Sequence, residues 1–207
     1  MGVVEMTKIH VPAVVKMHRD NVKTGLTAWL GQRFCKYLYR GINSTPYSFV
    51  LVYEDEQHQP LGFICCTTNI SKMYKAIIIR YFLPMTLSAI SKFLKPSVIK
   101  RSLTAVKRPR TFKTGNYSKW ELPEAEVIYF GISPNTQDYH IGTELIQAAF
   151  ERLRKLGCDK VRAWAREDNK QATTFYQKHG FKLLGMQQYD RGNICVLVAN
   201  LNRQSQI

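Results

Sequence analysis

Residues 127–142 read Val-Ile-Tyr-Phe-Gly-Ile-Ser-Pro-Asn-Thr-Gln-Asp-Tyr-His-Ile-Gly. The first part, extended back to Glu124, is rich in Val, Ile and aromatic residues and predicts a buried strand over 124–132. Ser133-Pro134-Asn135 breaks that strand. Beyond the break, Ile141, Leu145, Ala148, Ala149, Leu153 and Leu156 form an apolar stripe at helical spacing, so a helix is expected over 141–156, stopped by Gly157. A buried strand, a loop and a helix opening at Gly142 would aim backbone N–H groups and the positive end of the helix dipole at one point. Such a point suits an anion, and a pyrophosphate fits it. Gly142 would let the backbone approach closely, and Thr143 would add a hydroxyl. Many junctions of this type bind nothing, so the stretch needs a second signal.

The same reading extends outward in both directions. Downstream, 160–166 reads as a strand and 170–178 as a short helix capped by Gly180; 181–188 and 194–201 read as strands joined by the turn at 190–193. Upstream, Val3–Met6 reads as a strand, 11–23 and 29–41 as helices, and 48–53 with 61–68 as a hairpin. This mixed order argues an α/β or α+β layer structure around one central sheet. One domain over residues 1–207 is expected.

The composition agrees. The chain has 207 residues, of which 45% are hydrophobic and 22% charged, which excludes a disordered class. The five cysteines (Cys35, Cys65, Cys66, Cys158 and Cys195) contain no CxxC pair. That argues against a disulfide framework and a zinc cage, and points to reducing cytosol. Cys65 and Cys66 lie mid-strand and read as core. No histidine spacing suggests a metal. No leader peptide or membrane span is expected.

Thirty Lys or Arg against fifteen Asp or Glu give a formal charge of +15. From Gln57 to Trp120 no acidic residue occurs, and this stretch carries +12. A segment so basic favours phosphates, nucleic acid or anionic lipid. Leu87, Ile90 and Leu94 repeat at helical spacing before Pro96, and 97–106 follows it. Two short basic amphipathic helices are expected there, covering a cleft, lying on a membrane surface, or packing on the body of the domain.

The second signal lies downstream, in Asn169, Ala172, Phe175-Tyr176 and, three residues on, Gly180-Phe181. Together with Gln137-Asp-Tyr-His140-Ile141-Gly142, it resembles the GNAT superfamily of acyl-CoA N-acyltransferases. The signature loop of that superfamily has Gln or Arg, two residues, Gly, one residue, then Gly or Ala. The resemblance covers 121–188 well, is looser upstream, and does not include 72–120. Here His140 replaces the first glycine, which is tolerable if the backbone stays out of the left-handed region. Asp138 puts a negative charge beside the proposed phosphates.

The resemblance implies a mixed, mostly antiparallel central sheet flanked by helices, with 72–120 as a basic helical insert between the third and fourth strands. It implies acetyl-CoA as acyl donor and no metal. The strand at 124–132 would splay from the strand at 160–166, and the pantetheine would pair with backbone near Gly131 and Ile132. The pyrophosphate would take N–H groups from Gln137, Asp138, Tyr139, His140, Ile141, Gly142 and Thr143. Asn169 would hold the pantetheine, although its place before the helix at 170–178 equally makes it a cap. Glu126 would act as general base, a backbone N–H near Ile132 would meet the oxyanion, and Tyr176 would protonate the leaving thiolate.

The implied activity is direct acetyl transfer to a primary amine. The charge adds an anionic acceptor, such as an amino sugar or a phosphorylated amine. A second reading makes the chain a non-catalytic CoA-fold module whose segment 72–119 binds nucleic acid or anionic membrane; the aromatics interleaved with its basic residues would serve as stacking platforms or as the segment's own core. The expected place is the cytoplasm, at the membrane periphery if that segment meets lipid. The last strands leave room for a homodimer.

Overall fold

The computed structural model describes residues 1–22, 26–93, 121–134, 136, 139–189 and 192–202. The chain order is β1 (Gly2–Glu5), α1 (Val11–Asn21), α2 (Leu26–Leu30), α3 (Gln32–Asn43), β2 (Ser48–Glu54), β3 (Pro60–Thr67), α4 (Ile70–Phe93), β4 (Glu126–Ile132), α5 (Tyr139–Lys155), β5 (Lys160–Arg166), α6 (Lys170–Lys178), β6 (Lys182–Tyr189) and β7 (Gly192–Asn200). The strands form one seven-stranded sheet in the order β1-β2-β3-β4-β5-β7-β6. Every pair is antiparallel except β4 with β5, as the mixed, mostly antiparallel expectation had it.

Helices cover both faces, and strand alternation divides the core accordingly. Phe49, Leu51, Tyr53, Ile64, Cys66 and Val127 join Leu145, Ile146, Ala149 and Leu153 of α5 on one face. Val50, Val52, Phe63 and Cys65 join Val14, Val15, Leu38, Tyr39, Ile42, Met73 and Ile77 on the other. The middle strands are apolar on both sides because neither side meets water. Cys65 and Cys66 are fully buried on opposite faces, and burial pushes both thiols up.

Two expected helices need correction. The helix expected over 29–41 is two, α2 and α3, because Gly31 sits at φ 87° and ends the first one. The helix expected from the spacing of Leu87, Ile90 and Leu94 falls on the second half of α4, which starts at Ile70 and carries Pro84 inside it. Its first turns bury Met73 and Ile77, so the basic segment begins as core rather than as an appendage at 72. The second expected helix, 97–106, lies outside the described residues.

The feature that positions the site is a parting of the sheet. β4 meets β5 at only two rungs, Glu126 with Arg162 and Val127 with Ala163. The Arg162 N–H also donates to the Ala125 carbonyl at 2.9 Å. Past Val127, β4 stays on β3 as far as Ile132 opposite Gly62, while β5 stays on β7 from Lys160 to Arg166. A bulge marks the divergence: Cys66 faces Val127 and Cys65 faces Tyr129, so Ile128 is the extra residue. Bulges bend a strand and raise its twist, which turns β4 away from β5.

Candidate functional site

The opening between β4 and β5 has its apex at Val127 and widens toward Ile132. The Ser133 N–H donates to the Leu61 carbonyl at 2.8 Å across the ladder. Backbone groups alternate along a strand, so the N–H of Ile132 turns the other way, into the side that β5 has left. By the same alternation the N–H of Gly131 belongs to the β3 ladder. Gly131 contributes space instead: a β-carbon there would stand 2.9 Å from Phe63 and 3.2 Å from the Asn21 side-chain nitrogen. That nitrogen donates to the Met17 carbonyl at 2.8 Å and reaches the Ile132 carbonyl at 3.4 Å, bringing the end of α1 to the wide end of the opening.

α5 begins at Tyr139, two residues before the helix expected over 141–156. Its first turn, Tyr139–Gly142, holds N–H groups without intrahelical partners, the raw material of an anion site. His140 lies in helical backbone, not in the left-handed region, and its Nε2 is 3.2 Å from Glu144. Nothing in the backbone at 140 therefore requires the glycine that the loop pattern has there. Ile141 is buried in the core. Gln137 and Asp138 lie outside the described residues. Gly142 is required by packing: a β-carbon would stand 2.9 Å from Phe175 and 3.2 Å from Ile132. The Thr143 hydroxyl is 3.1 Å from His179 Nε2, while His179 Nδ1 faces the Phe175 carbonyl at 2.8 Å. A carbonyl only accepts, so in the neutral ring Nδ1 carries the hydrogen and Nε2 accepts from Thr143. This contact ties the start of α5 to the end of α6.

Across the opening, Phe130 of β4 stacks on Phe175 of α6, with centroids 4.9 Å apart and planes at 20°. Tyr176, 7% exposed, packs edge-on against Phe175 and Phe181. Burial pushes its phenol well above the tyrosine range, and Cys66 and Glu126 nearby push the same way. It stays protonated at neutral pH, the form that a proton donor needs. Those neighbours place it near the apex. Asn169 caps α6, its Oδ1 accepting from the Ala172 N–H at 3.1 Å.

Glu126 is not free. Arg162 Nε donates to its Oε2 at 2.7 Å, and both side chains are largely buried, at 13% and 15% exposure. Glu126 and Ile132 also stand six residues apart on β4, a rise of about 20 Å. One acetyl group cannot touch both. The apex gathers Glu126, Tyr176 and the Ile128 bulge; the wide end gathers Ile132, Asn21 and the start of α5.

A buried polar cluster behind β4 escaped the sequence reading. His18, 1% exposed, has Nδ1 at 2.9 Å from the Tyr39 hydroxyl and Nε2 at 2.9 Å from Thr27, and its ring meets Tyr129 edge-on at 4.6 Å. Burial lowers its pKa to about 4. The only hint in the sequence was a histidine on the apolar side of its helix. Arg162, Asn21 and His179 were missed because nothing local marks them. Among the described residues, no group of three or more His, Cys, Asp or Glu side chains is placed to hold a metal ion. Among the same residues, no helix is long and apolar enough to cross a membrane.

Comparisons with known proteins agree with this architecture. The profile of the acetyltransferase (GNAT) family matches residues 108–181. A mycothiol acetyltransferase of Geodermatophilus obscurus is 40% identical over 63 residues, which is 30% of this chain and 20% of that protein. The chain thus matches about a fifth of that relative's length. A ribosomal-protein-alanine N-acetyltransferase from Brucella melitensis superposes with a TM-score of 0.60 at 15% identity, covering 97% of this chain and 99% of its own. A GCN5-related N-acetyltransferase from Kribbella flavida superposes with a TM-score of 0.62 at 15% identity, covering 96% of each chain. In fold across its length the chain is similar to GNAT acetyltransferases of solved structure, and in sequence it matches their family over residues 108–181.

Proposed function

We propose that the chain is an N-acetyltransferase that moves an acetyl group from acetyl-CoA directly to a primary amine of a small, anionic acceptor. The observation that carries this reading is the parting of β4 from β5 after Val127, with the first turn of α5 beyond its wide end. An unpaired strand edge offers hydrogen bonds to an extended amide chain, and a helix start offers N–H groups to a pyrophosphate. Acetyl-CoA has both parts in that order, and it supplies an acetyl group already activated as a thioester.

In this reading the phosphates lie at Tyr139, His140, Ile141, Gly142 and Thr143, and at Gln137 and Asp138 just before them. The Ile132 N–H holds the pantetheine, Gly131 beside it keeps the strand free of a side chain, and Asn169 reaches the pantetheine from α6. The acetyl end then lies at the apex. There Tyr176 donates to the departing sulfur, and Glu126 takes the proton from the attacking amine, directly or through water. The 20 Å rise moves the oxyanion donor away from Ile132 to the backbone N–H groups at the Ile128 bulge.

Two observations support an anionic acceptor. One is the net charge of +15. The other is a groove of about 790 Å³ along α1, lined by Lys16, Arg19, Asp20 and Gln32 among others. Asp20 answers Lys16 at 3.5 Å, which leaves Arg19 as the excess positive charge. The same helix ends at Asn21, against the Ile132 carbonyl.

The test is thiol release from acetyl-CoA in the presence of a panel of amines. Amino-sugar phosphates and phosphorylated amines should turn over faster than their uncharged counterparts, with an advantage that shrinks as salt rises. Equal rates for charged and uncharged amines would remove the anionic acceptor. No release with any amine would remove the enzyme.

A further inference from the structure

The helix α4 is apolar on two opposite sides. One side is spent: Met73 and Ile77 are buried, and Ile77 and Tyr81 close on Gly41 of α3, where an added β-carbon would stand 3.0 Å and 3.4 Å from them. The other side carries Ile78, Ile79, Phe82, Leu83 and Leu87, exposed by 54%, 75%, 60%, 65% and 58%. The spacing places these residues on one outward face. Five large apolar side chains grouped in this way mark a binding surface; scattered singly they would need no explanation. Lys72, Lys75 and Arg80 are exposed on the same helix.

We infer that this face of α4 lies on an anionic lipid surface. Charge selects that occupant. Lys72, Lys75 and Arg80 are exposed on α4, and in sequence no acidic residue occurs from Gln57 to Trp120. A second copy would bring the same charge against it and be repelled. A nucleic acid would satisfy the charge but leave isoleucine and leucine against phosphates and sugars. An anionic bilayer satisfies both: the apolar side chains enter the acyl boundary and the lysines and arginine meet the headgroups. The 24 residues of α4 make a rod of about 36 Å. The helix does not meet the length and hydropathy of a membrane span. The geometry is that of a helix lying in the interface while the domain stays in water.

The experiment is co-sedimentation of the full chain with phosphatidylcholine vesicles, with and without about a third phosphatidylglycerol. It needs neither acetyl-CoA nor turnover, so it stands or falls apart from the acetyltransferase reading. The chain should bind the anionic vesicles and not the neutral ones. Ile79→Glu with Phe82→Glu should weaken that binding roughly tenfold or more, with an unchanged unfolding midpoint because both positions are exposed. No binding to anionic vesicles would overturn the proposal. So would binding that the double substitution leaves intact, which would reduce the effect to charge. Retention of an oligonucleotide in place of vesicles would also overturn it. So would self-association abolished by the same substitutions in a chain that ignores vesicles, because a second copy would then cover the face.

Discussion

Arg162 of β5 donates through Nε to Oε2 of Glu126 on β4, at 2.7 Å, on one of the two rungs that still join the halves of the sheet. The pair therefore sits where the opening begins. It clamps the apex, and it holds the carboxylate that we propose as base. Glu126→Gln should do two things at once. Replacing the charged partner of a largely buried guanidinium by a neutral amide should cost about 1–3 kcal/mol, and turnover should fall by roughly 10²-fold or more. Arg162→Gln separates the roles. It should cost similar stability but retain more activity. Wild-type turnover in Glu126→Gln would leave the residue as a clamp alone.

Tyr176→Phe keeps the packing against Phe175 and Phe181 and removes only the hydroxyl. Turnover should fall by about 10²-fold, with little change in the KM for acetyl-CoA. Burial pushes this phenol above its ordinary range, so it stays protonated up to at least pH 10 or so. An alkaline limb at lower pH belongs to another group, and the variant should retain it. Steady-state rates across pH 6–10 decide the matter.

Gly142→Ala tests the contact between α5 and α6. The new methyl would meet the Phe175 ring, which is already stacked on Phe130 and has little freedom to yield. The strain should cost about 1–3 kcal/mol and displace the first turn of α5. The dissociation constant for acetyl-CoA should rise by tenfold or more, and calorimetric titration would read both effects. Unchanged affinity would mean that this turn does not hold the phosphates.

His18 makes stability depend on pH. Its pKa is lowered from 6.5 to about 4 by burial, so below pH 6.5 the unfolded chain takes up a proton that the fold refuses. The associated stability is fully present above pH 6.5 and is lost as pH falls through 4, about 3 kcal/mol in all. Urea unfolding between pH 7 and 4 should show the decline, and His18→Gln should flatten it. An equal slope in the variant would assign the decline to other groups.

Much of this architecture was legible in the residues, for identifiable reasons. The strand at β4 announced itself by its run of Val, Ile and Tyr, and α5 by its apolar stripe. Gly157 and Gly180, both at positive φ, marked helix ends correctly. Gly31 was read as helix interior, although its φ of 87° breaks the chain into α2 and α3. The extent of α4 was hidden because its outward face is as apolar as its inward one, so no amphipathic rhythm marked its limits. At the site, Glu126, Ile132 and Tyr176 were singled out in advance, but their distances were not readable from local pattern. The Arg162 contact and the His18–Tyr39 cluster depend on chain segments far apart in sequence, and local pattern carries no trace of them.

The most direct test of the central claim is thermal unfolding with and without acetyl-CoA, with free CoA as the control. A ligand that binds only the folded chain stabilises it by about 2.7 kcal/mol at a hundredfold excess over Kd, and in a protein of this size that is a rise of roughly 5–10 °C in Tm. The account predicts such a rise with both ligands, cut to about half or less in Gly142→Ala at the same ligand concentration. An unchanged Tm at millimolar acetyl-CoA would mean that the opening between β4 and β5 does not receive the cofactor, and the acetyltransferase reading would fall.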